Sequence, residues 1–184
     1  MLANEPGSLR NIYSSDYVVF DLETTGFSYK TDSIIEISAL RVRDGHITDE
    51  FSHLINPMRP LPPRITQITN ITPDMLFDKP EICDVMPGFI DFIGDDLLVG
   101  HNIHSFDMKF IYRNCREIFR EVPDNDYADS LLLAKKYMRE LSNHKLSDLA
   151  VYLNLPTDNA HRALFDCRMN QAVYEELGRR MNLL

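Results

Sequence analysis

Two carboxylates at the end of an apolar run are the first residues that could do chemistry. Asp21 and Glu23 follow residues 17–20, which are β-branched or aromatic, and Gly26 comes shortly after them. Such a run predicts a buried strand, along which alternate side chains point the same way. Two like charges on one side of a strand repel each other and lose hydration, so the pair predicts a bound cation or shifted protonation. A solvated acidic strand end is the alternative that this segment alone leaves open.

Two later segments carry further acidic and imidazole groups near expected element ends. The apolar run at residues 97–100 leads through a polar loop to Asp107, which starts a stretch of helical period. His161 lies in another polar loop, and Asp166 follows it in the first turns of a long helical pattern. Taken singly, each acid has a simpler interpretation, because a carboxylate is favourable at the start of a helix. His161 could equally be a loop residue that is satisfied by a backbone group.

The elements that would position these groups follow an α/β order. Apolar strand patterns cover residues 33–42 and 47–55, and Asp44 with Gly45 between them predicts a hairpin turn. Thr72 before Pro73 predicts the start of a helix. Helical periodicity then recurs at residues 81–93, 106–121, 130–139, 145–153 and 163–181, with a short buried strand at 97–100. Three antiparallel strands followed by alternating helix and strand predict a mixed sheet with helices on its faces.

The domain organisation is predicted to be simple. A chain of 184 residues is large enough for one domain with its own core. The first residues have no clear period, so we expect residues 1–16 to be a loose extension and residues 17–184 to form a single domain.

Composition excludes several classes of protein. The formal net charge of −9 argues against a general nucleic-acid binder that depends on electrostatic attraction, although an enzyme that grips a few nucleotides at a metal site stays open. The three cysteines are widely spaced, which favours a reducing compartment over a disulfide framework. Neither a signal-peptide core nor a run of ~18 to 20 apolar residues occurs, so we expect a cytoplasmic protein.

Three motifs in order resemble those of the DnaQ-like, or DEDDh, family of 3′→5′ exonucleases. They are DLETTG at residues 21–26, GHNIHSFDMKF at 100–110 and HRALFD at 161–166. The resemblance extends over about residues 17–177 and includes ITNITPDML at 68–76, which is similar to a segment of bacterial replicative proofreading exonucleases. It implies a ribonuclease-H-like fold with a mixed five-stranded sheet and helices on both sides. It also implies release of 5′-mononucleotides from a 3′ end.

The resemblance assigns the site residues. It implies two divalent ions, Mg²⁺ or Mn²⁺, with Asp21, Glu23 and Asp166 as ligands of one ion and Asp107 near the other. Such a pair of ions can stabilise both the attacking and the leaving oxygen of an in-line displacement. His161 would be the general base, since a neutral imidazole accepts a proton near neutral pH.

The same resemblance suggests which residues hold the substrate. Thr24, Thr25 and Gly26 would cradle the terminal nucleotide, and Phe106 would stack on a base or pack in the core. Asn102 would orient the backbone or contact the substrate. One departure from the family is the spacing between His-Asn and Phe-Asp, which is three residues here, at 103–105, instead of the usual two. We expect a small bulge in the loop that leaves Asp107 in place.

The sequence therefore predicts a metal-dependent exonuclease acting on single-stranded or frayed DNA 3′ ends, with a DNA polymerase as a candidate partner. A 3′→5′ exoribonuclease is the alternative enzyme, because the contact to the 2′-hydroxyl is not legible in the sequence. A non-catalytic binding module on a nuclease fold is the third hypothesis. Such a module would be free to lose a ligand, yet all four acids and the histidine are present.

Overall fold

The computed structural model describes residues 2–10, 12–157 and 161–182. The strands are β1 Leu2–Ala3, β2 Leu9–Arg10, β3 Tyr17–Thr24, β4 Ile34–Arg43, β5 His46–Leu54, β6 Leu98–Gly100, β7 Val122–Pro123 and β8 Tyr127–Asp129. The helices are α1 Pro63–Thr69, α2 Pro73–Leu76, α3 Ile82–Ile93, α4 Asp107–Phe119, α5 Ser130–Tyr137, α6 Leu146–Tyr152 and α7 Ala163–Arg180. Six strands form one sheet in the order β2-β8-β6-β3-β4-β5, and β1 pairs with β7 separately.

The antiparallel half of the sheet is the predicted meander. β4 pairs antiparallel with both β3 and β5. Asp44 and Gly45 connect β4 to β5 with positive φ angles of 49° and 73°. Two residues in the left-handed region form the turn type that matches the twist of a hairpin. The predicted hairpin is confirmed.

The parallel half of the sheet extends further than predicted. β6 pairs in parallel with β3 and with β8, and β2 adds a further parallel strand beyond β8. The expectation of a loose N-terminal extension and of five strands was wrong, because Leu9 and Arg10 belong to the sheet. Asp126 secures them, accepting hydrogen bonds from the Ser8 N–H at 2.9 Å and the Arg10 Nε at 2.8 Å. A two-residue strand has no readable period, and its partner lies more than a hundred positions away.

Helices cover both faces of the sheet, and β3 supplies each face with alternate residues. Val18 and Phe20 pack in a core with side chains of α3 and α4. Tyr17 and Val19 pack in a second core with side chains of α5, α6 and α7. Asp21 has the parity of Tyr17 and Val19, so the strand directs it to the face covered by α7.

The helices broadly follow the periodicity of the sequence. The helix predicted at residues 81–93 is α3, and the one predicted at 163–181 is α7. Thr72 caps α2 through a hydrogen bond from the Met75 N–H. The proline-rich connection leads directly into α1, which the sequence analysis did not predict and which begins at Pro63. Within the described ranges, no helix combines the length and apolar character needed to cross a membrane.

Candidate active site

The site lies where β3 ends against the beginning of α7. A register shift in the β3–β4 pairing falls between Glu23 and Thr24, just before the chain turns away. Asp21 and Glu23 share one face of β3, and Asp166 lies in the first turn of α7, which covers that face. The strand and the helix thus bring carboxylates from two distant motifs together.

The fourth acid comes from the other side of the sheet. Asp107 is the first residue of α4 and is 3% exposed. Leu22 lies between Asp21 and Glu23 on β3, and its backbone is near enough to oppose the rise that burial causes in the pKa of Asp107. Asp107 lines the same cleft as Asp21 and Glu23, where the expected loop bulge would leave it.

The four carboxylates are an electrostatic burden in the absence of a cation. Burial, and then the charges of Asp107, Asp166 and Glu23, raises the pKa of Asp21 well above its usual value. Burial and the charge of Asp166 raise the pKa of Glu23 to about 9. Burial raises the pKa of Asp107 to about 8, and that of Asp166 to about 6 despite the opposing effect of His161. At neutral pH the folded protein therefore retains protons that isolated carboxyl groups would lose.

The donor set suits a divalent cation. Glu23, Asp166 and His161 each offer a ligand atom, and these atoms all lie within 4.8 Å of one another. Carboxylate oxygens are the ligands that Mg²⁺ and Mn²⁺ prefer. A bound cation would replace the retained protons and relieve the repulsion among the acids.

Hydrogen bonds from the backbone N–H of His161 fix this residue beside Asp166. His161 has a positive φ of 68°, and its N–H donates to Asp166 Oδ1 at 3.4 Å and Oδ2 at 3.3 Å. The imidazole is exposed and lines the cleft that contains the acids. An exposed imidazole beside the acids can exchange a proton with a water molecule in the cleft.

A fifth buried acid, Glu36, was missed by the sequence analysis. It lies opposite Glu23 in the β3–β4 pairing and is 2% exposed. Its carboxylate accepts hydrogen bonds from Arg162 Nε at 3.2 Å, Arg162 Nη2 at 2.8 Å and the Ala163 N–H at 3.0 Å. Glu36 thereby fixes the start of α7 between His161 and Asp166. An acid inside the otherwise apolar segment 34–40 was the available signal.

Replacing Glu36 by alanine should slow catalysis by misplacing His161 and Asp166. We expect a fall in kcat of about 10- to 100-fold, since a misplacement of ~1 Å can cost that much. The free energy of unfolding should also fall by about 2 kcal/mol, because the Ala163 N–H and Arg162 lose a buried acceptor. Chemical denaturation and single-turnover hydrolysis measure the two effects.

Glu50→Ala is the matched control for Glu36→Ala. Glu50 also pairs with an arginine of α7, Arg168, at 2.6 Å, but both side chains are largely exposed. Exposed pairs contribute little, so this variant should behave as the unmodified protein. An unchanged kcat in Glu36→Ala would contradict the positioning role.

An active-site cleft of about 500 Å³ contains the five predicted catalytic residues. Its walls add side chains that the sequence analysis did not single out, namely Phe27, Ile65, Ile68 and Thr69. Phe27 is 75% exposed, and its ring meets that of Phe106 edge to face with centroids 6.5 Å apart. The catalytic acids therefore adjoin an apolar, aromatic recess.

The residues predicted to bind substrate divide into two groups. Thr24, Gly26, Asn102 and Phe106 line the active-site cleft. Thr24 Oγ1 donates to the Gly26 carbonyl at 2.6 Å, which shapes the turn. Thr25 is not among the lining residues, and its hydroxyl accepts the Ser33 N–H at 3.0 Å instead. Thr25 supports the wall of the cleft from behind.

Asp129 holds the loop that carries the extra residue. Its carboxylate accepts the Leu131 N–H at 3.0 Å and thereby caps α5. The same carboxylate accepts the Asn102 N–H at 3.0 Å and the His104 N–H at 3.2 Å. Asn102 has a positive φ of 64°, which lets the loop turn sharply. His104 is exposed, and its Nδ1 lies 2.8 Å from the hydroxyl of Tyr127.

Comparison with known proteins places this geometry among exonucleases. The sequence model of the exonuclease family RNase_T matches residues 18–174. Among curated proteins, the DNA polymerase III PolC-type of Bacillus subtilis (strain 168) is 42% identical over 160 residues, which is 85% of this chain and 11% of the relative. The PolC-type protein of Oceanobacillus iheyensis is 41% identical over 157 residues, with the same two coverages. The chain thus spans about a tenth of the length of these relatives.

Solved structures share the fold. Exonuclease X in complex with 5′ overhanging duplex DNA has a TM-score of 0.72 and 29% identity, covering 90% of this chain and 93% of the other. Exonuclease I of E. coli in complex with a dT13 oligonucleotide has a TM-score of 0.80 and 18% identity, covering 92% of this chain and 42% of the other. Another structure is the zinc-ion-bound form of the complex of E. coli exonuclease I with single-stranded DNA, with a TM-score of 0.80 and 18% identity over 92% of this chain and 42% of that one. The low identity to exonuclease I limits that likeness to the fold.

Proposed function

Because the chain belongs to the RNase_T exonuclease family, we propose that it removes 5′-mononucleotides, one at a time, from the 3′ end of single-stranded or frayed DNA. The observation that carries the proposal is the convergence of four acids and His161 in one cleft next to an aromatic recess. Two divalent cations, Mg²⁺ or Mn²⁺, would be held by Asp21, Glu23, Asp107 and Asp166. When bound, they would supply charge stabilisation at the reacting phosphate.

The residues of the chain have separate tasks in this reaction. The water oxygen forms a bond to the phosphorus of the last nucleotide while the bond from phosphorus to the 3′ oxygen of the preceding nucleotide breaks. His161 takes a proton from the water, and the departing 3′ oxygen gains a proton from solvent. Glu36 accepts hydrogen bonds from Arg162 and the Ala163 N–H, and these bonds would keep His161 and Asp166 in position for that proton transfer.

The aromatic recess would receive the terminal nucleoside. Phe27 and Phe106 offer faces and edges on which any base can stack, which suits removal without regard to sequence. The backbone turn at Thr24 and Gly26 would meet the sugar, and Asn102 would face the phosphate. Thr25 would act indirectly by holding this turn.

DNA and a polymerase context are part of the proposal. They are supported by the PolC-type relatives and by the DNA complex of the structurally similar exonuclease X. We propose that this chain acts as one exonuclease domain, which includes the N-terminal strand β2, and that it works with a DNA polymerase. The three free cysteines support a cytoplasmic location.

A nuclease assay tests the proposal. The protein is incubated with Mg²⁺ or Mn²⁺ and a 20-nucleotide DNA strand labelled at its 3′ end, beside an RNA strand of the same sequence. We expect release of labelled mononucleotide from DNA, faster than from RNA, and none in excess chelator. Full activity in chelator, or in the Asp21→Ala variant, would overturn the mechanism, and a higher rate on RNA would overturn the substrate.

A further inference from the structure

A second cleft adjoins the active-site cleft on the side away from the aromatic recess. Its volume is about 580 Å³, and we name it the lysine cleft after Lys135 and Lys145 in its walls. The residues that line both clefts are His101, Asn102, His161 and Asp166. The two clefts thus meet where the proposed reaction places the phosphate that is cut.

The walls of the lysine cleft are suited to an anion. Lys135 and Lys145 are exposed, and neither forms an ion pair with any residue in the described ranges. Ser142, Asn143 and Ser147 add polar side chains. Asp166, at the shared border, is the only acid among the described residues that line this cleft. Two unpaired cations and so little acid are unusual on a chain with a net charge of −9.

Side-chain contacts attach two residues that line the lysine cleft, His101 and His144, to the two ends of α5. His101 Nδ1 lies 3.0 Å from Ser130 Oγ, and the backbone of His144 is near enough to affect the pKa of the His101 ring. The ring of His144 in turn reaches the Met138 carbonyl at 3.0 Å, which ties it to the end of α5. The loop with Lys145 is therefore positioned before any ligand arrives, which reduces the entropic cost of binding.

We propose that the lysine cleft binds the backbone phosphates of the nucleotides on the 5′ side of the bond that is cut. This rests on the proposed function, which puts the terminal nucleoside in the recess of Phe27 and Phe106 and leaves the rest of the strand to continue past Asn102. Lys135 and Lys145 would neutralise about two phosphates, because each lysine contact replaces condensed counterions. The cleft would grip the strand without reading its sequence.

Two substrates distinguish the effect of the lysine cleft from the effect of the catalytic centre. A 20-nucleotide DNA strand occupies both clefts, whereas the p-nitrophenyl ester of thymidine 5′-monophosphate has no nucleotide on the 5′ side. For the double variant Lys135→Glu and Lys145→Glu, we expect kcat/KM on the strand to fall at least 10-fold. The salt dependence of binding should become shallower by about 1.4 in log–log slope, at ~0.7 per phosphate contact on a single strand. Hydrolysis of the small ester should change less than twofold.

Lys136→Glu with Arg139→Glu is the matched control. It makes the same change in net charge on exposed residues outside the lining of the lysine cleft. We expect it to retain the rate on the strand within about twofold, since neither side chain lines the cleft that would hold the strand. An equal loss in both double variants, or an equal loss on both substrates, would overturn the proposal.

Binding provides a readout that does not depend on hydrolysis. Fluorescence anisotropy with a labelled dT20 strand in Ca²⁺ should give a Kd at least 10-fold higher for the Lys135/Lys145 variant. An unchanged Kd would overturn the lysine cleft even if the enzyme is active. If the unmodified protein cleaves neither substrate with Mg²⁺ or Mn²⁺, the proposed function fails, and the Kd comparison still decides whether the cleft binds a strand.

Discussion

The His161→Ala variant should lose about 10²- to 10⁴-fold in kcat on single-stranded DNA, the usual contribution of a general base. The substitution should leave folding unchanged, because the imidazole is exposed and the hydrogen bonds to Asp166 come from the backbone N–H. Asp21→Asn should remove activity more completely, since it takes away a carboxylate from the centre of the acidic set. Rapid-quench kinetics with a 3′-labelled strand measure both.

The Asp21→Asn variant should change stability in the opposite direction to activity. Asp21 is buried beside three other acids, so a neutral asparagine relieves repulsion and should raise the midpoint of thermal unfolding of the metal-free protein. A site that destabilises the fold yet is required for activity is a common trade-off in enzymes. A His161→Ala variant with a full rate, or an Asp21→Asn variant that unfolds more easily, would contradict this account. His46→Ala, in the distant hairpin, serves as the control histidine.

The metal-free protein should lose stability as the pH rises from 7 to 9. Folding raises the pKa of Asp107 to about 8 and that of Glu23 to about 9, whereas both are near 4 when unfolded. The contribution of these two groups to stability is therefore fully present at a pH below their pKa values in the unfolded chain. It is lost as the pH rises through their pKa values in the folded protein. The expected loss from these two groups is about 4 kcal/mol between pH 7 and 9, at ~1.4 kcal/mol per pH unit for each excess proton. Denaturant titrations in the presence of chelator measure it.

The range from pH 7 to 9 lies above the pH at which His101 affects stability, and the effect of His101 has the opposite sign. Burial lowers the pKa of His101 to about 4, so its contribution grows as the pH rises to about 6.5 and is constant above that. Saturating Mg²⁺ should restore the stability, more at pH 9 than at pH 7, because the cation competes with the retained protons. The control is the triple variant Asp21→Asn, Glu23→Gln and Asp107→Asn, because the raised pKa of Asp21 lets this residue add to the same slope. A metal-free protein with constant stability over this window, or a control that keeps the slope, would contradict the prediction.

The chemistry of the site could be predicted from the sequence because it depends on residue types at the ends of local elements. Asp21 and Glu23 lie at the end of a readable strand, and Asp107 and Asp166 lie in the first turns of readable helices. The likeness to the exonuclease family confirms the resemblance drawn from the three motifs. The hairpin at Asp44 and the cap at Thr72 are equally local, which is why both were found.

Several features depend on contacts between residues far apart in the chain, and only the tertiary structure decided them. Glu36 accepts a hydrogen bond from Arg162, which lies 126 positions away in the sequence. This contact lets an acid in a mainly apolar strand position the start of α7. Phe27 and Phe106 meet in the same way to form the recess.

The sequence by itself determined which groups are the candidates for the chemistry and the order of elements that carry them, because alternation along a strand and the first turn of a helix are set locally. The tertiary structure decided what surrounds those groups. It gave the N-terminal residues Leu9 and Arg10 a place in the sheet, and it put Lys135 and Lys145 in one wall beside His161. Packing brings these residues together, and no local pattern encodes which distant surfaces will pack. The pair Asp21 and Glu23 is stabilised by that packing, since the opposing strand and helix α7 hold the acids close despite their repulsion.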